Sequence, residues 1–174
     1  MVDARLRGTL GSAVLLGLVA WIALRPGPGH SPPASVEDPG PVSALVSRVI
    51  DGDTIEVRVA GRTDEVRYIG IDTPETVKPG TPVQCFGHRA SDLNHDLVEG
   101  RRVRLDFDAE RRDIYGRMLA YVHLGRRFVN AILVRGGYAR TLTIPPNDSH
   151  ATLFARLARR AAIDGRGLWG ACQP

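Results

Sequence analysis

Nothing between Arg25 and Ser43 can join a hydrophobic core, and that stretch, RPGPGHSPPASVEDPGPVS, divides the chain. It holds half of the 12 prolines and has no apolar periodicity, so it cannot bury enough surface to offset the entropy of ordering it. It reads as a disordered linker over residues 25–43. Ahead of it lie a short basic N-terminus, residues 1–7, and the uncharged segment Gly8–Leu24, GTLGSAVLLGLVAWIAL. That segment is just long enough to cross a bilayer as a hydrophobic helix. Arg5 and Arg7 precede it and no clear small-residue cleavage signal follows. It therefore reads as a transmembrane signal anchor or a signal peptide, with the remainder outside the cytoplasm. On this reading the protein is held in the cell membrane, or is secreted if the segment is cleaved. Residues 44–174 are then left to form one ordinary globular domain.

Within that domain, apolar and polar residues alternate on either side of Gly52 in ALVSRVIDGDTIEVRVAG, which predicts two strands and a tight turn. EVRYIGID predicts a third strand, with Val66, Tyr68 and Gly70 on one face and Arg67, Ile69 and Ile71 on the other. Pro74 ends it, since proline donates no ladder hydrogen bond. RRVRLDFD and GRMLAYVHLG supply a fourth and a fifth strand. Helical spacing marks Ala90, Leu93, Leu97 and Val98 before Gly100, a short helix in VNAILVRGG, and a longer one through Leu153, Phe154, Leu157 and Ala161. Asn147 or Asp148 is the expected N-cap of the last helix. The expected fold is α+β, mainly β: a five-stranded OB-type barrel with about three helices.

The net charge is only +4, but all except one of the 23 basic residues are arginine and the isoelectric point is about 9.6. Such a surface permits a polyanionic partner without requiring one. The two cysteines, Cys85 and Cys172, would pair under oxidising conditions. A zinc site on Cys85, His88 and His95 lacks a fourth ligand and suitable spacing.

Asp53, Asp72 and Glu75 lie at strand ends, where like charges repel unless something gathers them. An EF-hand fails, because Ile55 and Arg62 fall at ligand positions and no glycine stands at the sixth. A hard-cation site built across strands is the alternative. Asp53 and Asp72 would supply carboxylates and the Thr73 backbone carbonyl a neutral oxygen. Taken singly, each motif also reads as plain turn chemistry. Arg67 and Arg117 add guanidinium groups that bind phosphate oxygens bidentately. A cation, two arginines and a water-orienting carboxylate are what phosphodiester hydrolysis requires.

VIDGDTIEV, RYIGIDTPET, FGHRAS, DIYGRMLAYV, VNAILVRGGYA and PPND follow one another as in the staphylococcal nuclease family, which the chain resembles from about Ala44 to Cys172. The resemblance implies an OB-barrel and a calcium-dependent nuclease acting on DNA and RNA, leaving 3′-phosphate ends. It assigns Asp53, Asp72 and Thr73 to Ca2+, and Glu75 to the attacking water. Arg67 and Arg117 fall to the phosphate, Tyr115 to a phosphate contact and Asp51 to an outer carboxylate supporting the site. Leu142 and Ile144 stand near a base-stacking tyrosine of the family pattern, and Ile114 replaces a lysine. Stacking is worth roughly 1–3 kcal/mol per base, so nucleotide binding is expected to be weaker or differently selective. The protein is expected to act as a monomer. A barrel that binds nucleic acid without cutting it is the competing expectation, as is a calcium-stabilised structural domain.

Overall fold

The computed structural model describes residues 40–77 and 79–172. The expected N-terminus 1–7, the apolar segment 8–24 and most of the linker lie outside the described residues. Among those described, no helix is long and apolar enough to cross a membrane.

The strands are β1 Val42–Val49, β2 Thr54–Val59, β3 Arg62–Tyr68, β4 Gly70–Asp72, β5 Arg102–Asp106, β6 Met118–Leu124, β7 Arg127–Phe128 and β8 Arg140–Leu142. The helices are α1 Gly87–Val98, α2 Val129–Gly136, α3 Ala151–Ile163 and the single turn α4 Leu168–Ala171. The strands β3, β2, β1, β5 and β6 are neighbours in that order, and a parallel pairing of Val66–Tyr68 with Met118–Ala120 joins the two ends. The result is a closed five-stranded barrel. Closure leaves no unpaired edge in the circuit and gives the inward residues one shared interior. Ala44, Val46, Ile55, Val57, Val66, Val103, Leu105, Ala120 and Val122 fill it. These are the alternate residues of each strand, so the period-2 pattern of the sequence maps directly onto the barrel wall. β1 starts at Val42, inside the stretch expected as linker, because Val42 and Ser43 pair with Leu105 and Arg104 of β5.

The expected third strand is broken. β3 stops at Tyr68 and β4 resumes at Gly70, whose φ is +79°. Tyr68, Ile69 and Ile71 are all buried, so Ile69 and Ile71 do not face away from Tyr68 as alternation predicts. The cause lies far along the chain. A Cβ on Gly70 would stand 2.6 Å from Cε2 of Phe154, so this glycine admits the α3 ring to the core. β4 leaves the barrel and pairs instead with β8, setting Asp72 opposite Arg140.

Two buried amides stitch helices to the barrel. Asn130 on α2 accepts from the Val122 N–H (2.9 Å) and donates to the Ile69 carbonyl (2.9 Å). Asn94 on α1 donates to the Asp51 carbonyl (3.0 Å) and accepts from the Tyr68 hydroxyl (2.9 Å). Each satisfies polar groups that would otherwise be costly to bury. α2 ends at Gly137 with φ +74°, as its glycine pair suggests. The cap expected for α3 is not used. His150 occupies the N-cap position without a side-chain bond, while the Asn147 amide bridges the N–H and carbonyl of Glu110 (2.7 and 2.9 Å). Asp148 contributes only its carbonyl, to the Ala151 N–H. Cys85 and Cys172 are joined by a disulfide across 87 residues, with Cα atoms 5.8 Å apart. The cysteine is thereby unavailable as a thiolate ligand.

Candidate active site

The hairpin loop between β1 and β2 is folded by its own acids. Asp51 Oδ1 accepts from the Asp53 N–H at 3.0 Å, closing an Asx turn, and the Thr54 carbonyl takes the N–H groups of Ile50 and Asp51. Gly52 is required for a different reason. A Cβ there would meet Oγ1, Cβ and Cγ2 of Thr73 at 2.7–2.8 Å. The loop is therefore pressed against the end of β4, and Asp53 is carried into it.

Asp53 is only 4 % exposed. Its Oδ2 accepts from the Thr73 N–H (2.7 Å) and hydroxyl (3.0 Å), and its Oδ1 from the Thr54 hydroxyl (3.2 Å). Thr73 thus meets Asp53 through its N–H and hydroxyl rather than its carbonyl. The same Oδ2 stands 3.2 Å from Arg67 Nη1. The Arg67 guanidinium spans the site: Nη1 also donates to the carbonyls of Tyr68 and Ile71 (3.0 and 2.9 Å), and Nη2 to Asp72 Oδ1 (2.8 Å). One side chain therefore fixes the kink between β3 and β4 and joins a buried carboxylate to the 54 % exposed side chain of Asp72. Positive charge is still short. Burial pushes the Asp53 carboxyl up to about 7, Arg67 pulls against that rise, and Asp51 and Asp72 add to it.

Arg117, just ahead of β6 beside β3, is held by Asp113. Its Nε donates to Asp113 Oδ2 at 2.8 Å, while Oδ1 accepts from the N–H groups of Tyr115 and Arg117 (2.9 and 3.0 Å). Burial would raise the Asp113 carboxyl, but these bonds outweigh it and hold it below its ordinary value. Gly116, at φ +86°, completes the turn. Tyr115 is 78 % exposed, and the Arg117 guanidinium lies 5.5 Å from its ring centre.

Arg67, Arg117 and Tyr115 line one cleft of about 440 Å³, with Ile114, Leu142 and Ile144 on its walls. Two fixed cations over an apolar-sided groove can take a phosphate flanked by flat organic groups. Asp72 and Thr73 line a separate, smaller cavity of about 160 Å³ with Gln84, Cys85 and Cys172. Glu75 lines neither. Its Oε1 accepts from the N–H groups of Thr76 and Val77 (2.9 and 2.8 Å), which is turn-capping chemistry.

The geometry thus joins Asp51, Asp53, Thr73, Arg67 and Asp72 in one bonded network and puts Arg67, Arg117 and Tyr115 on one cleft. It sets Glu75 on the loop three residues beyond Asp72. Among the described residues, no group of three or more His, Cys, Asp or Glu side chains is poised around a common point. The donors present are two carboxylates and main-chain oxygen. That set is hard, and its buried carboxylate is incompletely neutralised; both properties suit calcium or magnesium better than zinc.

Several supporting residues escaped the sequence reading. Asp113 had a signal, since Asp-x-x-Gly is turn chemistry four residues ahead of Arg117. Asn94 had none beyond being polar on the apolar face of α1. Gln84, which meets the backbone of Glu75, is an exposed polar residue with no local pattern.

Residues 65–171 match a sequence model of the family described as Staphylococcal nuclease homologue. A thermonuclease of Staphylococcus intermedius is 46 % identical over 127 residues, covering 73 % of this chain and 76 % of the relative. A thermonuclease of Staphylococcus hyicus is 43 % identical, covering 71 % and 73 %. The endonuclease YncB of Bacillus subtilis (strain 168) is 41 % identical over 130 residues, covering 74 % and 62 %.

Proposed function

Because this chain belongs to the staphylococcal nuclease family, and is a nuclease with nucleic acid as its substrate, we propose that it is a calcium-dependent endonuclease cutting DNA and RNA to 3′-phosphate ends. The observation that carries the reading is the Arg67 guanidinium. It touches both Asp53 and Asp72 and lines the cleft that Arg117 and Tyr115 share. Asp53, Asp72 and the Thr73 carbonyl would hold the ion. When bound, it would supply positive charge to the phosphoryl oxygens.

The chain's own residues do the remainder. Arg67 and Arg117 grip the non-bridging oxygens of the scissile phosphate and stabilise the charge that builds on them as water adds. Asp113 keeps the Arg117 Nε occupied, which leaves the two terminal nitrogens for phosphate. Tyr115 contacts an adjoining phosphate. Asp51 and Gly52 hold the loop that carries Asp53. Glu75 orients the attacking water or takes its proton. The phosphorus–O5′ bond then breaks opposite the new bond, so phosphate remains on the 3′ oxygen.

Leu142, Ile144 and Ile114 are exposed apolar walls in place of stacking and cationic groups, so the base receives contact area but less directional recognition. Residues 8–24 are proposed to tether a monomeric domain outside the cytoplasm, or to be removed on export. Support for the tether is the uncharged run behind Arg5 and Arg7.

End-group analysis tests the reaction. Products of the full chain on single-stranded DNA should carry 3′-phosphate and 5′-hydroxyl ends, and Glu75→Gln should slow their formation by orders of magnitude. Products with 5′-phosphate ends, or a Glu75→Gln enzyme as fast as the parent, would remove the assigned direction of attack or the assigned role.

A further inference from the structure

Glu75 begins a difficult piece of chain. The described residues from Thr73 to Phe86 include no strand and no helix, and Pro74, Pro79, Gly80 and Pro82 fall within the stretch. A carboxylate that must meet a water at a fixed place cannot ride on an unrestrained loop, since a displacement of about 1 Å can cost about a hundredfold in rate. The Thr76 and Val77 N–H groups fix the carboxylate to its own turn, so whatever holds that turn sets where the carboxylate lies.

Two hydrogen bonds to the Glu75 main chain hold the turn. The Gln84 side-chain Oε1 accepts from the Glu75 N–H at 3.0 Å, and the Gln84 N–H donates to the Glu75 carbonyl at 2.9 Å. Glu75 is therefore gripped on both sides of its own Cα by one residue, nine positions on. Gln84 is itself anchored. Its carbonyl accepts from the Gly87 N–H at 2.9 Å, at the start of α1. Gly87 in turn lies so close to the loop that a Cβ would meet the carbonyls of Glu75 and Pro74 at 3.0 and 3.1 Å. The next residue, Cys85, is covalently bound to Cys172. The C-terminal end of that bond is fixed to the end of α2, because Leu168 is buried and its N–H donates to the Gly137 carbonyl at 2.8 Å. Gln84, Cys85 and Cys172 share the walls of the smaller cavity with Asp72, Thr73 and Pro74.

We propose that Gln84 is a positioning residue for Glu75, and that the Cys85–Cys172 disulfide holds Gln84 in register, so that a covalent link to the chain's C-terminal end sets the aim of the active-site carboxylate. Gln84 touches no substrate; it acts through Glu75. The inference rests on the catalytic reading of Glu75 given above. It extends that reading to a residue and a bond that the reaction itself does not need.

The test uses the full chain and single-stranded DNA. Gln84→Met keeps the length of the side chain and removes the acceptor. Gln84→Glu keeps an oxygen at the same reach. Gln84→Met should lower kcat about fivefold, with KM within twofold and the unfolding temperature within about 3 °C of the parent. Gln84→Glu should stay within twofold in kcat. In a Glu75→Gln background, Gln84→Met should add no further loss, since the group it aims is already gone. Cys85→Ala with Cys172→Ala, assayed at least 15 °C below its own unfolding temperature, should lower kcat by about the same factor with KM unchanged.

Parental kcat in Gln84→Met, equal losses in Gln84→Met and Gln84→Glu, or additive loss with Glu75→Gln would each overturn the role of Gln84. Parental kcat in the cysteine double variant would overturn the role of the disulfide. If Glu75→Gln itself kept parental kcat, the catalytic reading would fail first, and the two failures are thereby told apart.

Discussion

Replacing Gly52 with alanine adds one methyl group at the most crowded point of the site. Gly52 is not among the residues of positive φ, so alanine suits the backbone and the cost comes from contact alone. The new Cβ would begin 2.7 Å from Thr73 Oγ1 and 2.8 Å from its Cβ and Cγ2, against an ordinary contact that starts at 3.4 Å. The loop and Thr73 must separate by about 0.7 Å. The hydrogen bonds from Thr73 to Asp53, now 2.7 and 3.0 Å, would stretch to or beyond the limit of useful length. Overpacking of this kind costs about 1–3 kcal/mol. For a domain of this size that corresponds to roughly 3–12 °C in unfolding temperature. Because the displaced carboxylate is the buried one, activity should fall further than stability alone explains, by about ten- to a hundredfold in kcat/KM. Differential scanning calorimetry and initial rates on single-stranded DNA read the two effects separately. A Gly52→Ala protein with parental melting temperature and parental rate would refute the idea that Thr73 and the hairpin loop fix Asp53 by contact.

Other perturbations separate the parts of the site. Arg117→Lys should lower kcat about a hundredfold with little change in KM, because lysine cannot bridge two oxygens or keep the Asp113 bond at Nε; a loss confined to KM would contradict a transition-state role. Removing Cys85–Cys172 opens an 87-residue loop, for which chain entropy predicts up to about 4–5 kcal/mol of destabilisation, visible as a fall of 10 °C or more in melting temperature. An unchanged melting temperature on reduction would show that the bond restrains nothing in the unfolded chain. In chelator, Asp53 should make stability fall as pH rises from about 4 to 7. Its folded carboxyl is raised to about 7 by burial, so the folded state holds the proton more tightly than the unfolded chain does. Asp113, held below its ordinary value, acts oppositely, losing its contribution as the solution becomes acid. Comparing urea midpoints of the parent and Asp53→Asn across that range isolates the first effect, and parallel curves would exclude it.

The barrel was legible because its information is local. Val46, Val57, Val66, Val103 and Leu105 each sit two residues from another apolar residue, and a pleated strand turns that spacing directly into an inner face. The break at Ile69–Gly70 was not legible, since nothing near Gly70 announces that Phe154 will need its space. Asn147 looked like a helix cap because the cap signal is a residue type before an apolar run. Its amide finds the Glu110 backbone, a partner that only the closed fold brings near. The candidate site divides along the same line. Asp53, Asp72, Arg67 and Arg117 stand in motifs whose charges are hard to explain otherwise. Asn94, Gln84 and Asp113 act on main-chain or charged groups and differ in reach: Asp113 works within its own turn and had a signal, while Asn94 reaches 43 residues back to Asp51.

The most direct measurement is the turnover of single-stranded DNA by the full chain as free calcium is titrated, run in parallel on Asp72→Ala. Rate should rise with calcium from a chelator baseline near zero, saturate, and return to baseline when chelator is added back, with Asp72→Ala needing at least tenfold more calcium. Full turnover in excess chelator, or the same calcium dependence in both proteins, would contradict the claim that Asp53 and Asp72 hold an ion beside Arg67.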